Sequence, residues 1–451
     1  MEVKRDRYLG MLVSRRWNGR VKILAGIRGC GKSHLLSAYE GLLLSDGVPP
    51  ERIIRFDLEG SGIRNASDLC RRISDAAPSD SSGYHVLIDD IQTLPDFTDV
   101  VTTLAARRHI DACVTGRFSN GLCDGVPTEC RGRGDVIRVH PLGFSEFLSA
   151  HTGRESEAWK DYLEYGGMPG VLHEDTAEGK RGYLDGLLAD ILSDMRERHR
   201  IGNPEAMSAV IDEIRSSVGT PLSPSGISDA LRRKGLNMTN DTVRRYLAIA
   251  ADSFLLEEVR RIDIRTWRGL GSPSRFYMED VGFCGTGDSA SRGENIVFSE
   301  LRRRRLSVNT GVIETRETVE GVRRSVRLGI DFVAEKADRR YYIQYAEWMS
   351  DEGRLVREKR PFRCLRDGFR RALILGDDML PHMDEEGVLN IGVRQFLLDE
   401  RSLDYRAGRN ITSLDAEFRL ASPCPTPVIR VCPTDRPDVG HHVYLPRAHA
   451  P

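Results

Sequence analysis

The chain of 451 residues is longer than one ordinary hydrophobic core sustains, so two or three domains are expected. Hydrophobic residues make up 40% and charged residues 29%, a globular composition, and the formal net charge of −1 excludes a nucleic-acid footprint spread over the whole molecule. No run approaches membrane-spanning length, the opening residues lack the apolar core of a signal peptide, and nine cysteines stand without C-x-x-C pairs; these features predict a cytoplasmic protein with no membrane partner, disulfide framework or zinc site.

In chain order, the first third alternates strand-like and helix-like segments. Strands are predicted at Val21–Ala25, Arg52–Leu58, His85–Asp89, Ala112–Thr115 and Val136–His140, with helices at His34–Leu44, Ser67–Ala77 and Thr98–Arg107. Such alternation predicts an α/β fold with a parallel sheet. After Pro141 the pattern turns helical, at Ser145–Ala150, Glu157–Glu164 and Lys180–His199. Beyond Pro221–Pro224, two helices (Gly226–Lys234 and Asp241–Phe254) and a β-type piece (Leu255–Ile262) follow the winged-helix order. A helix at Asn295–Arg304 then leads to strands at Val312–Glu314, Val326–Glu335, Arg340–Tyr345 and Arg371–Leu375. From about Ser402 the chain is rich in Pro, Arg and polar residues without periodicity, and reads as a largely disordered tail.

The densest chemistry lies in Gly26-Ile27-Arg28-Gly29-Cys30-Gly31-Lys32-Ser33, a complete G-x-x-x-x-G-K-[ST] phosphate loop between a predicted strand and the helix opening at His34. Its glycines let backbone N–H groups converge on a phosphate, and the helix N-terminus faces the same anion. Lys32 is expected to bridge the β- and γ-phosphates of ATP and Ser33 to take one Mg²⁺ position, with the remaining loop residues and His34 forming the cradle. Val86-Leu87-Ile88-Asp89-Asp90 is an apolar strand ending in two acids, 57 residues after Lys32. Asp89 is assigned to the Mg²⁺ shell and Asp90 to polarising the attacking water. Thr115 and Arg117 end the next strand, where a polar group can sense the γ-phosphate; a plain glycine turn is the equal alternative. Arg131 and Arg133 precede the last strand, where an arginine would neutralise γ-phosphate charge in its own or a neighbouring subunit, against the alternative of a solvated basic loop.

These motifs resemble an ordered series of signatures. Leu87-Ile88-Asp89-Asp90-Ile91-Gln92, Thr115-Gly116-Arg117-Phe118-Ser119 and Arg131-Gly132-Arg133 are followed by Pro141-Leu142-Gly143-Phe144-Ser145-Glu146-Phe147 and Tyr165-Gly166-Gly167-Met168-Pro169. Thr242-Val243, Tyr246-Leu247, Tyr277 to Gly282 and Gly329-Ile330-Asp331-Phe332-Val333 complete the series. It is similar to that of prokaryotic AAA+ ATPases carrying a C-terminal domain of unknown function (DUF 4143), from about Arg7 to Leu398. The resemblance implies an AAA-type core, a helical subdomain, a winged helix and a C-terminal domain resembling restriction endonucleases, placed at 1–143, 144–218, 219–290 and 291–401, with the tail at 402–451. Three departures stand out. Asp90 replaces the usual glutamate, one methylene longer, which predicts slow hydrolysis. Phe118 replaces the sensor asparagine, and Arg117 replaces a small serine.

An endonuclease-like centre needs a helix acid, a strand aspartate and an acid-x-Lys pair. Glu294 and Asp331 fit the first two, but Gln344-Tyr345-Ala346 lacks both acid and lysine, so the domain reads as degenerate. Between Pro221 and Ile330, 19 Lys and Arg stand against 14 Asp and Glu, a mildly basic stretch. Arg232, Arg233, Lys234, Arg244, Arg245 and Arg302 to Arg305 are candidates for DNA phosphates, although such winged helices also serve as lids or protein contacts. The favoured reading is a Mg²⁺-dependent ATPase switch acting on DNA or a protein partner, with oligomerisation open through an arginine in trans. A non-hydrolysing nucleotide-binding scaffold or DNA-binding regulator is the alternative, and an ATP-gated nuclease is a weaker third.

Overall fold

The computed structural model describes residues 3–79, 83–117, 132–285, 288–319, 322–347 and 352–405. Helix α1 (Asp6–Val13) precedes β1 (Val21–Ala25), α2 (Lys32–Ser45), β2 (Ile53–Asp57), α3 (Ala66–Ala76), β3 (Tyr84–Asp89), α4 (Phe97–Ala105), β4 (Ile110–Gly116) and β5 (Gly134–Arg138). The five strands form one wholly parallel sheet in the order β2-β3-β4-β1-β5. Every residue of β1, β3 and β4 is buried, as continuous apolar runs in a sheet covered on both faces require. Because the strands are parallel and β4 lies between β3 and β1, the loop after β1 and the ends of β3 and β4 share one sheet edge, which brings Gly26–Ser33, Asp89 and Thr115 together.

Next come α5 (Phe144–Ala150), α6 (Glu155–Tyr165), α7 (Ala177–His199) and α8 (Pro204–Arg215). Helix α8 is absent from the sequence expectation, although Asn203 accepts from Ala206 N as its cap and Pro204 opens it. Helices α9 (Pro224–Arg233) and α10 (Asn240–Asp252) lead to a hairpin of β6 (Leu256–Asp263) and β7 (Gly269–Met278). The order matches the expected helix, helix and β-wing, but the hairpin does not stand alone. Residues Arg261 to Asp263 of β6 pair in parallel with Thr310 to Val312 of β8 (Ser307–Val319), so the hairpin joins the C-terminal sheet.

Helix α11 (Ser289–Arg303) lies between that hairpin and β8. After β8 come β9 (Val322–Lys336), β10 (Arg339–Ala346), α12 (Glu352–Arg363), β11 (Arg370–Leu375), β12 (His382–Met383), β13 (Val388–Gly392) and α13 (Val393–Leu398). They complete an eight-stranded sheet, β12-β13-β11-β10-β9-β8-β6-β7. Side chains of β9 divide between two cores, because a bulge opposite Asn309–Gly311 of β8 breaks the strand's alternation between Ile330 and Val333. Phe332 and Ala334 join the large core that runs through the P-loop sheet and the helices, while Ile330 and Val333 pack with Phe362 of α12 in a second cluster.

The expected disordered tail begins too early. Residues Ser402–Asp404 form a short 3₁₀ turn in which Ser402 and Leu403 are buried. The rest of that tail, Arg131 and Phe118 lie outside the described residues. Among the described residues no helix is long and apolar enough to cross a membrane.

Candidate functional site

The phosphate loop is shaped by what crowds it. At Gly26 a Cβ would lie 2.2 Å from the Val139 carbonyl oxygen, so no larger residue fits. Gly31 turns at φ +93°, in left-handed space that glycine alone enters freely, and this starts α2 at Lys32. Arg5, buried before α1, braces the loop from outside. Its guanidinium donates to the carbonyls of Cys30 (2.9 Å) and His140 (2.8 Å) and pairs with Glu146. Thus Glu146 of the Pro141–Phe147 signature supports the loop; its carboxylate also accepts from Gly143 N and pairs with Arg303.

Lys32 folds back over the loop and donates to the carbonyls of Gly26 (3.0 Å) and Ile27 (2.8 Å). The exposed Ser33 hydroxyl donates to Asp89 Oδ1 at 3.1 Å. These two oxygens, on adjacent elements of one sheet edge, are the hard donor pair that suits Mg²⁺. The same Asp89 oxygen accepts from the Thr115 hydroxyl, which in turn accepts from Asp90 N at 2.8 Å. Thr115 is wholly buried between the two strand ends. It therefore ties β4 to the acid pair, where the sequence expectation had it facing a γ-phosphate.

Asp90 sits in left-handed backbone space at φ +56°, which turns its carboxylate sideways along the sheet edge. There it accepts from Gln92 Nε2 at 2.8 Å and lies 3.6 Å from Arg117 Nε. Arg117 reaches on to Asp194 of α7, with Nη1 to Oδ2 at 2.7 Å. Arg28, inside the loop, donates to the same Asp194 oxygen at 3.1 Å and lies 3.4 Å from Asp190. Arg198 closes the series by donating to the Arg117 carbonyl at 3.0 Å. Burial holds its own pKa below the usual arginine value.

Residues 190, 194 and 198 of α7 recur at helical spacing, so one face of α7 meets both the loop and the turn after β4. Leu187, one turn earlier, lies beside Gly29, where an added Cβ would be 3.1 Å away. Their spacing in the sequence signals a helix face, but nothing local says what it touches.

Arg133 belongs elsewhere. Its carbonyl accepts from Val21 N at the start of β1, and Gly134 pairs with Val21. That end of the strands is about 15 Å from the phosphate loop. This topology sets Arg133 away from the phosphate loop of its own chain, which leaves the neighbouring-subunit role and the solvated basic loop as its readings. His34 is exposed and lines a cavity of about 170 Å³ with Val3, Arg5, Gly31, Leu142, Pro169, Leu172 and His173. Apart from Gly31 and His34, the sequence reasoning missed these lining residues, because they come from three distant segments.

The C-terminal acids do meet. Arg275 of β7 donates through Nη1 to Glu294 (2.8 Å) and Asp331 (3.0 Å), and Tyr277 donates to Glu294 at 2.7 Å. Burial first, and then the Asp331 charge, push the Glu294 carboxyl up to about 7. A guanidinium thus stands between the two acids where a nuclease metal would be expected. Among the described residues no group of three or more His, Cys, Asp or Glu could hold a metal ion.

Comparison with known proteins agrees with the N-terminal geometry. Residues 18–148 match the family described as AAA domain, and residues 156–291 match a domain of unknown function, DUF8612. The second differs from the DUF 4143 of the sequence resemblance. An uncharacterised protein of Haemophilus influenzae is 29% identical over 390 residues, covering 83% of this chain and 93% of that protein. The Walker-type ATPase PABY2304 of Pyrococcus abyssi superposes with a TM-score of 0.45 at 14% identity, over 63% of this chain and 97% of that one. AMPPCP-bound DnaA from Aquifex aeolicus gives 0.28 at 16% identity, over 56% and 88%. The N-terminal region thus matches an AAA domain over residues 18–148 and carries a P-loop-type parallel sheet, in a mixed α/β chain with a second sheet.

Proposed function

We propose that the protein is a Mg²⁺-dependent ATPase switch whose nucleotide state is read by α7. The observation that carries this reading is the shared grip of Arg28 and Arg117 on Asp194, beside the phosphate loop and the acid pair. A γ-phosphate on this loop is a stronger, multidentate partner for guanidinium than one partly exposed carboxylate. ATP would draw Lys32 from the loop carbonyls and the two arginines from Asp194, loosening α7. Ser33 and Asp89 would hold Mg²⁺, which supplies charge neutralisation on the phosphates when bound. Once Arg117 leaves, Asp90 keeps only Gln92 and is free to orient water, at the distance that one missing methylene imposes. The cavity lined by Val3, Leu142, Pro169, Leu172, His34 and His173 would take the adenine.

DNA is the proposed macromolecular partner, through the exposed Arg244 and Arg245 of α10 and Arg232, Arg233 and Lys234 at the end of α9. Their surface ion pairs with Asp241, Asp229 and Glu213 are cheap to exchange for phosphate. The domain division at 143, 218, 290 and 401 and a trans role for Arg131 or Arg133 belong to the same proposal. So does the absence of cleavage at the degenerate C-terminal acids. The scaffold alternative rests on the neutralisation of Asp90 by Arg117.

Fluorescent ATP binding and phosphate release from the wild type, Lys32→Ala and Asp90→Asn test the reading. Lys32→Ala should weaken binding on the order of a hundredfold, the loss of two charge-assisted hydrogen bonds. Wild-type turnover no faster than that of Lys32→Ala would establish the scaffold, and wild-type protein that binds no nucleotide would sink both.

A further inference from the structure

The tip of the β6–β7 hairpin is built to hold an aromatic ring outward. Asp263 accepts from Arg265 N (3.0 Å), Thr266 N (2.7 Å) and the Thr266 hydroxyl (2.9 Å). Its own carbonyl accepts from Trp267 N at 2.8 Å, and its N–H donates to the Arg268 carbonyl at 3.0 Å. The turn so fixed keeps Trp267 at φ +56°, an uncommon conformation for a bulky residue, with 39% of its surface exposed. Asp263 spends its charge inside the turn, where those donors, the Thr266 N–H first, hold its carboxyl below the usual range.

Across the sheet, the Arg340 guanidinium carbon lies 3.5 Å from the centre of the Trp267 ring and 4.6 Å from that of Phe369. Phe369 is itself 38% exposed and leans on Tyr342. Asp367 fixes that second turn by accepting from Phe369 N and the Tyr342 hydroxyl. A stack of ring, guanidinium and ring therefore rises from the core to the surface, and Arg340 already covers one face of the outermost indole.

The surroundings are cationic in a chain whose overall charge is −1. Residues 260–268 and 363–371, the two segments that meet at Arg340, carry eight arginines against two aspartates, although Arg363 pairs with Glu386, Arg370 with Asp404 and Arg340 itself with Glu335. Both aspartates are the turn-forming ones. Arg260, Arg265, Arg268 and Arg366 are exposed, and among the described residues none forms an ion pair. Exposed rings alone would suit a protein partner as well. Unpaired arginines clustered around a ring suit a phosphate backbone whose bases stack.

We propose that the Trp267–Arg340–Phe369 stack is a platform for an unpaired base of a single-stranded nucleic acid, with Arg260, Arg265, Arg268 and Arg366 along its phosphates. A base inside a duplex has no free face, so the platform selects single-stranded or splayed segments. The proposal rests on the nucleic-acid partner named above, but on different residues from α10.

The test is binding of the full chain to labelled (dT)20 and to a 20-base-pair duplex, followed by anisotropy across a salt series. Trp267→Ala should weaken (dT)20 binding roughly tenfold or more, and Trp267→Phe should keep most of it. The Arg265→Ala/Arg268→Ala pair should flatten the slope of log affinity against log salt by about 1.4. Arg244→Ala/Arg245→Ala should leave (dT)20 binding intact. Equal affinity in the wild type and Trp267→Ala overturns the platform, as does a loss in Trp267→Phe equal to that in Trp267→Ala. Wild-type protein that binds duplex but not (dT)20 overturns the platform and spares the α10 reading; protein that binds neither overturns both.

Discussion

The two acid–arginine clusters of this molecule have opposite senses. Beside the phosphate loop, an internal anion, Asp194, occupies two arginines that a phosphate would claim. At the edge of the second sheet, an internal cation, Arg275, occupies two acids that a metal would claim. The first occupant can be displaced, because Asp194 is one carboxylate, partly exposed, on a helix facing a multivalent competitor. The second cannot easily be displaced, because Mg²⁺ would find only two carboxylates and would have to expel a guanidinium held by both. In the proposed reading, similar side chains make a switch in one place and a fixed brace in the other. The distinction lies in the charge and valence of the group that would come in.

Three experiments press on that contrast. Removing the brace should have the largest effect: Arg275→Ala leaves two partly buried acids without a counter-ion and should cost about 3 kcal/mol in urea unfolding. Millimolar Mn²⁺ should restore part of that loss in the variant and none in the wild type. A variant as stable as the wild type would show that Arg275 is no counter-ion at all.

The second experiment is a pH series. Glu294 has its carboxyl raised to about 7, so the folded state binds a proton there that the unfolded chain releases near 4.5. This group's contribution is fully present below about 4.5 and fades as pH rises through 7, by about 3 kcal/mol. Glu279 works in the other direction. Burial would raise it, but Arg138 and His140 prevail and hold it at about 2, so its contribution is present above about 4.5 and fades as pH falls towards 2. Stability of the wild type measured from pH 5 to 8 should therefore slope downward relative to Glu294→Gln, and parallel curves would remove the proposed shift.

The smallest effect belongs to the displaceable occupant. Asp194→Asn should tighten ATP binding about fivefold, roughly 1 kcal/mol, and ADP binding less. An unchanged preference between the two nucleotides would mean that Asp194 does not compete with the γ-phosphate.

How much of this could be read from sequence depended on how local each constraint is. The phosphate loop and the acids after β3 were legible because their chemistry demands fixed residue types next to a strand, and β1, β3 and β4 announce themselves as apolar runs. The grip of Asp194 was not, since Arg28 and Arg117 meet it across 166 and 77 residues. The place of Arg133 was not legible either: the sequence puts it just before a strand without saying which end of the sheet that is, and in a parallel sheet the start of β5 lies at the edge opposite the loop. Glu294 and Asp331 were found as a pair, but their partner was hidden on β7, where Gly269, Gly271 and Pro273 blur the strand signal. The Tyr277–Gly282 signature, named only for its resemblance, has an architectural part. Asp280 accepts from Gly167 N and Gly282 N, stitching that segment to the turn over the phosphate loop.

The joining of β6 to β8 has a mechanical side. A hairpin anchored only by its own two strands would swing like a flap. This one is riveted into an eight-stranded plate through the Arg261–Asp263 ladder, a few residues from its tip. Trp267 at the free end and Arg275 further along the same hairpin thus ride on one cantilever.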